Sequence, residues 1–512
     1  MLKTLSIYLL ALFVGSLSSF AFAPYHLWPL LVIGFIILLW ILAKTDFPFR
    51  VGFCFALGFY AVGLRWVHVS IYKFGGLPIS VSYIAVLLLA AYLALYPALS
   101  CWLAAKWPRK NLGFSLFWFP ACWMISEWLR AHILTGFPWL MPGYSLTNTQ
   151  LSDYASLFGV YGVSLILLWL SAALFELTRH PKRYKIPALS IIVILAGSFF
   201  LRHVQFTHPH QPLKIALIQG NEAIDTKWAP ENRIPTLKRY WNLTQKQTDS
   251  DVIIWPESAL PVIEYDAQGY LKMLDKYMLK RHQTLITGII HQNQINGHYY
   301  NALVVLGQKT KTGTSSPLYR YNDSDRYYKR HLLPIGEFVP FAKWLRPLAK
   351  LFDLPMSSFS RGSDHQPDIR VRGHHWLSAI CYEIAFGTEL QHLITPDTDT
   401  ILTISNDTWF GHSIGPEQHL QIAQMRAIEF QRPVVRGTNT GLTALINSRG
   451  QITALLPTYK TAVLHGTIVP ATGETPYQRW GLGPIYLYLA IALLIFIRQR
   501  RQYGLVKSSG RR

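Results

Sequence analysis

Three residues of different chemical types stand out in this chain: Cys381, Glu257 and Lys329. Cys381 ends the run Trp376-Leu377-Ser378-Ala379-Ile380 and precedes Tyr382 and Glu383. The turn beyond a strand's carboxyl end is where α/β folds present reactive groups. A thiol nucleophile needs a base, and acyl chemistry needs a group that holds the oxyanion. Glu257 sits in Ile254-Trp255-Pro256-Glu257-Ser258, where Pro256 ends a ladder and projects the carboxylate. Lys329 lies in Tyr327-Tyr328-Lys329-Arg330-His331, eight residues before Glu337. Singly, a Glu or Lys is usually solvated surface, and a lone Cys is often a small buried hydrophobe. Together, in aromatic and proline-rich settings, the three suit covalent acyl transfer. No His/Cys group has metal-ligand spacing, so neither a metal nor a cofactor is expected.

These residues must be positioned by a chain that is far from an ordinary soluble enzyme. Of its 512 residues 51% are hydrophobic, 14% aromatic and only 15% charged, with a formal charge of +21. Soluble domains carry about 25% charged residues. The apolar residues cluster in runs at 5–21, 28–43, 51–64, 79–105, 112–126, 157–175, 186–201 and 485–497. A helix needs about 20 apolar residues to cross the hydrocarbon, and in lipid the backbone must satisfy itself. Eight membrane helices are therefore expected. Lys3 followed by Ala21-Phe22-Ala23 has the outline of a signal peptide, but Pro24 disfavours cleavage, so the first run is read as a retained helix.

With the N-terminus inside, the short inside segments and the tail hold 16 of the 48 Lys and Arg residues, opposed only by Asp46. This is a positive-inside bias. It accounts for most of the net charge without a nucleic-acid partner. The expected organisation is a transmembrane domain of seven helices over 1–202, an exported domain over 203–482, and a last helix with a basic cytoplasmic tail over 483–512. In a bacterium that exported domain is periplasmic and the protein spans the inner membrane.

The exported part has short β-branched runs at 214–219, 252–255, 284–289, 302–306, 377–381, 400–404, 434–438 and 443–446. Helix-compatible stretches at 234–247, 267–281 and 417–431 separate some of them, which suggests an α/β layer architecture. Cys54, Cys101 and Cys122 fall in expected membrane helices, leaving Cys381 unpaired in an oxidising compartment. The stretch 308–316 reads as a surface loop and 351–363 as a mobile segment.

Glu257 in WPES, Lys329 eight residues before the Glu of GEFVP, and Cys381 in ICYE resemble the Glu–Lys–Cys triad of the nitrilase superfamily. Asn406-Asp407-Thr408-Trp409-Phe410-Gly411 and Arg436-Gly437-Thr438-Asn439-Thr440-Gly441 extend the likeness. Phe22-Ala23-Pro24-Tyr25-His26-Leu27-Trp28-Pro29-Leu30, Ser126-Glu127-Trp128-Leu129-Arg130 and Thr135-Gly136-Phe137-Pro138-Trp139 make nearly the whole chain similar to the bacterial apolipoprotein N-acyltransferases. Ile335 departs from the pattern, where an aromatic residue is expected.

The resemblance implies an α-β-β-α sandwich beside a helical membrane bundle. It also implies an acyl chain passed from a membrane phospholipid to Cys381, then to the α-amino group of a diacylglyceryl-cysteine lipoprotein. Glu257 would serve as base, and Lys329 with a backbone N–H near Tyr382 would hold the oxyanion. Glu337 and Glu383 would orient Lys329 or assist proton transfer. Trp228, Tyr382, Trp409 and Trp139 would line the acyl or amine entrance, and Asn301 would contact substrate. Arg65 and Glu127 are candidates for phospholipid headgroups, with interfacial snorkelling as the simpler reading. Two other functions fit parts of the pattern. A membrane-anchored amidase needs the triad but not eight helices, and a ligand sensor needs the helices but not the triad.

Overall fold

The structure, a computed structural model, describes residues 2–109, 111–308, 319–322, 325–334, 336–338 and 358–509. Ile335 and most of the stretches 308–316 and 351–363 lie outside the described residues. The chain forms two compact units: Met1–His68, Pro78–Val204 and Pro476–Arg512 make the first, Val69–Leu77 and Gln205–Thr475 the second.

The first unit is helical. Each of the eight apolar runs forms helix: Leu2–Ser18, Trp28–Leu42, Pro48–Gly63, Ile79–Ala104, Phe119–His132, Ala155–Arg179, Lys185–Leu201 and Gly483–Ser509. Pro29 and Pro48 sit in first turns, where the missing N–H costs nothing. Among the described residues, four helical stretches are long and apolar enough to cross a membrane alone: Thr4–Ala21, Ile79–Ala104, Gln150–Arg179 and Gly483–Arg500. Pro48–Gly63 with Val67–Phe74, bent by 58°, would make a fifth. Trp28–Leu42 and Lys185–Leu201 are apolar but shorter. Helices Leu2–Ser18 and Pro48–Gly63 pack closely because Gly15 and Gly58 lack side chains. A Cβ on Gly15 would lie 1.8 Å from the Phe55 carbonyl oxygen.

The second unit is built on two six-stranded mixed sheets. The first runs in the order Ala462–Ile468, Leu213–Gln219, Val252–Ile254, Thr284–Gln292, Tyr299–Leu306, Arg326–Tyr328, with its second, third and fourth strands parallel. The other runs Ile452–Leu455, Ala444–Ile446, Val434–Thr438, Thr398–Ser405, His374–Ile380, Ile369–Val371, again with three central parallel strands.

Leu217, Ile254, Ile286 and Leu303 of one sheet pack with Trp376, Ile380, Leu402 and Val435 of the other in a common core. Alternate residues of the first sheet, Ala216, Ile218, Ile253 and Trp255, face Tyr240, Leu271, Leu274 and Met278 of the helices Pro230–Gln245 and Glu264–Lys280. Helix Gly415–Phe430 is buried along nearly its whole length. Successive side chains along a strand point to opposite faces, so each central strand, buried on both, serves both layers.

The parallel strands end on one rim, which carries Glu257, Cys381 and Asn406. At Gly288 the neighbouring strand passes under the Glu257 turn. A Cβ there would lie 2.6 Å from the Pro256 carbonyl oxygen and the Ser258 nitrogen, and 2.7 Å from the Glu257 Cα. Gly288→Ala is therefore expected to cost about 1–3 kcal/mol of stability through overpacking of backbone on backbone. Thermal unfolding checks this, and an unchanged melting temperature would show that the turn yields freely.

Candidate active site

Glu257 follows strand Val252–Ile254 and is buried. The next residue, Ser258, has φ +46°, so the chain turns sharply there. Both Glu257 carboxylate oxygens accept strong hydrogen bonds. Asn301 Nδ2 donates to Oε1 at 2.7 Å, and the Asn406 backbone N–H donates to Oε2 at 2.7 Å. Burial pushes the Glu257 carboxyl above the ordinary glutamate range, while Lys329 and the two amide donors pull it down.

Lys329 follows strand Arg326–Tyr328 and is 2% exposed. Its Nζ is 2.9 Å from Glu337 Oε1, 2.8 Å from Glu337 Oε2 and 3.7 Å from Glu257 Oε1. Burial opposes the charge, but Glu337 and Glu257 overcome it and hold the ammonium well above the ordinary lysine value. Asn301 Nδ2 also donates to Glu337 Oε1 at 3.0 Å, and the Asn301 carbonyl accepts the Lys329 backbone N–H. Asn301 thus brackets the two carboxylates. The resemblance had implied a substrate contact for this residue.

Cys381 follows strand His374–Ile380 with φ +56°, a left-handed conformation that costs a non-glycine residue about 1–3 kcal/mol. Burial, with Glu257, pushes its thiol far up; Lys329 works in the other direction. The thiol is therefore protonated at rest and needs a base. Glu383 does not meet Lys329 in a hydrogen bond. Its carboxylate accepts from the Tyr327 hydroxyl and from the backbone N–H groups of Arg330, His331 and Ile380. Glu383 thereby ties the Lys329 loop to the strand that ends at Cys381.

Beneath the nucleophile lies a set of groups that residue-by-residue reading of the sequence does not single out. His419 Nε2 is 3.1 Å from the Cys381 carbonyl oxygen. His419 Nδ1 is 3.1 Å from Arg436 Nη2 and 3.2 Å from Asp407 Oδ1. Arg436 Nη2 donates to Asp407 Oδ2 at 2.6 Å, and the Ser405 hydroxyl donates to Asp407 Oδ1 at 2.6 Å.

The other candidates fall as follows. Tyr382 is buried, edge-on to Phe386 with centroids 5.0 Å apart. Trp228 is half-buried and closes the short helix Ile224–Lys227. Trp409 is half-buried; Phe74 meets its ring edge-on at 5.0 Å, and the Ser70 hydroxyl donates to its carbonyl. Trp139 belongs to the helical unit, where it is buried against Trp66. Glu127 is also wholly buried there, paired with Arg130, so the snorkelling read for it is replaced by an internal ion pair. Arg65 Nη2 donates to the Tyr25 hydroxyl. Among the described residues no group of three or more His, Cys, Asp or Glu side chains could hold a metal ion.

Two facing mixed sheets with a carboxylate, an ammonium and a thiol at the strand ends define a carbon-nitrogen hydrolase-type domain. Residues 214–477 match the carbon-nitrogen hydrolase family, and residues 14–173 match the apolipoprotein N-acyltransferase N-terminal domain. The chain is 42% identical over 499 residues to an apolipoprotein N-acyltransferase of Vibrio cholerae, covering 96% of this chain and 97% of that one. Against the enzyme of the same name from Shewanella oneidensis it is 42% identical over 502 residues, with 96% of each covered. Nit3 of Saccharomyces cerevisiae, a nitrilase-superfamily member, superposes with a TM-score of 0.36 at 15% identity, over 51% of this chain and 92% of that one. The chain belongs to the apolipoprotein N-acyltransferase family, and is thus an acyltransferase with a membrane-associated helical part.

Proposed function

We propose that this protein moves a fatty acyl chain from a membrane phospholipid through a Cys381 thioester to the α-amino group of a lipoprotein's N-terminal diacylglyceryl-cysteine. Glu257 takes the Cys381 proton and the thiolate attacks the ester carbonyl. The Lys329 ammonium, with the Tyr382 backbone N–H, stabilises the tetrahedral oxyanion. Collapse expels the lysophospholipid alkoxide, which takes the proton from Glu257. The lipoprotein amine then attacks the thioester, Glu257 accepts its proton, and the thiolate leaves to be reprotonated. Dividing the ester-to-amide exchange through a thioester gives two easier steps.

The supporting observation is the buried charge cluster: a carboxylate held by two amide donors, a lysine held by two carboxylates, and a thiol under the influence of both. A small-substrate amidase would use the same cluster, but the membrane part and the named relatives favour acyl transfer. Eight spans, a periplasmic catalytic domain and cytoplasmic termini complete the proposal, as does a lining of the acyl and amine entrance by Trp228, Tyr382 and Trp409. The charge bias of the short connections supports that orientation.

Incubating the purified protein with phospholipid is expected to add one acyl mass to the Cys381 peptide, and Cys381→Ala is expected to carry none. An absent adduct in the wild type, or an undiminished one in Cys381→Ala, would sink the acyltransferase mechanism.

A further inference from the structure

A carbonyl oxygen only accepts, so the 3.1 Å contact from His419 Nε2 to the Cys381 carbonyl requires the proton to be on Nε2. Nδ1 then has its lone pair directed at Arg436 Nη2, 3.1 Å away. Burial and the Arg436 guanidinium both hold His419 below its ordinary value, which keeps this neutral form. Burial works against the charge of Asp407, yet the Arg436 guanidinium, with the Ser405 hydroxyl, holds its carboxyl far below the usual carboxylate range. It therefore anchors Arg436 as a permanent anion. Ser405 donates to the same Asp407. The network spans three elements: helix Gly415–Phe430, the turn after strand Thr398–Ser405, and strand Val434–Thr438. All four side chains are fully or nearly fully buried.

We propose that His419, set in one tautomer by Asp407 and Arg436, is the positioning residue of the nucleophile. By holding the Cys381 carbonyl, it fixes the peptide plane between Cys381 and Tyr382. The peptide is planar and trans, so fixing the carbonyl also fixes the opposed Tyr382 N–H, the proposed oxyanion donor. It also pins the left-handed Cys381 backbone, and hence the direction of Sγ. The inference rests on Cys381 being the nucleophile. It adds a specific demand: a donor at the Nε2 position, supplied by a residue outside the carboxylate, ammonium and thiol cluster.

Full-length protein in detergent tests this with His419→Leu, His419→Gln and His419→Asn. One readout is single-turnover acylation of Cys381 from phospholipid vesicles. The other is the rate of iodoacetamide alkylation of the Cys381 peptide. His419→Leu is expected to lower the maximal acylation rate by about 30–100-fold, the scale of a misplaced reacting group. The half-saturating phospholipid concentration is expected to stay within about threefold, because substrate contacts are untouched. Glutamine presents its amide nitrogen where His Nε2 sits and should recover at least about tenfold of the loss; asparagine, a methylene shorter, should not.

Equal rates for Gln and Asn, or a wild-type rate in His419→Leu, would overturn the positioning role. If His419→Leu fails to fold, the contrast between the two polar variants still decides the matter. An absent acyl mass in the wild type would refute the acyl-transfer reading instead. The alkylation rates would then still report whether His419 sets the thiol's geometry.

Discussion

Lys329→Met is expected to reduce single-turnover acylation of Cys381 by about 10³-fold, at the upper end of what removal of one oxyanion donor costs. Two effects act together. The ammonium proposed to meet the developing oxyanion is gone. The two carboxylates it serves, Glu337 at 2.8 Å and Glu257 at 3.7 Å, are also left buried and sharing one Asn301 amide. Like charges so placed cannot both stay ionised, and one carboxyl takes up a proton. When that proton resides on Glu257 the base is lost as well.

Breaking a buried ion pair by removing one partner typically costs about 3–5 kcal/mol, so the melting temperature is expected to fall with the activity. Lys329→Arg separates the two contributions. It restores the charge and much of the stability, but its planar fork is larger than the pocket built for a compact ammonium. Acylation measured by intact mass, beside thermal unfolding, checks both. A Lys329→Met protein that acylates within about tenfold of wild type would remove Lys329 from the oxyanion role.

The side chains of the candidate site stand out in the sequence because their types are rare in apolar settings. Cys381 is the one thiol outside the apolar runs, Glu257 follows a proline at a strand end, and Lys329 stands between aromatics and Pro334. The central parallel strands were legible for the same reason: strands buried on both faces read as continuous apolar runs. Strands Ile452–Leu455 and Ala462–Ile468 did not stand out. They lie at sheet edges and expose much of their length, with Thr453, His465 and Thr467 breaking any apolar run. Arg326–Tyr328 is only three residues long, too short for a periodic signal.

Within the site, what escaped the sequence was partnership. The Asn406 contribution is a backbone N–H, which leaves no trace in residue type. His419 sits on a helix whose burial runs round its whole circumference, so no polar face marked it. Glu383 and Asn301 were visible as polar residues near the triad, but most of their partners are distant in sequence.

Glu257→Gln is expected to cost acylation about 10³-fold, within the range for loss of a general base. The substitution preserves shape, which makes the reason for failure specific. The Cys381 thiol is held far above the ordinary thiol range chiefly by burial, with Glu257 adding to it and Lys329 opposing, so little thiolate forms unaided. A glutamine cannot accept the thiol proton. It also cannot satisfy its own pocket. Asn301 Nδ2 and the Asn406 N–H are both donors aimed at the carboxylate oxygens, and the new amide group must confront one of them. A buried donor left unpaired costs about 1–3 kcal/mol.

The wild-type pH profile follows from the same geometry. Catalysis needs the carboxylate, so acylation falls as pH drops through the Glu257 value, and burial has raised that value above the ordinary 4.5. The acid limb of the acylation rate should therefore lie above pH 4.5, with Lys329 remaining protonated throughout. Glu257→Asp should keep an acid limb at a reduced rate, and Glu257→Gln should lose it. Rate measurements across that range decide the assignment: an acid limb that persists unchanged in Glu257→Gln belongs to another group, and the proton acceptor for Cys381 would then have to be sought elsewhere.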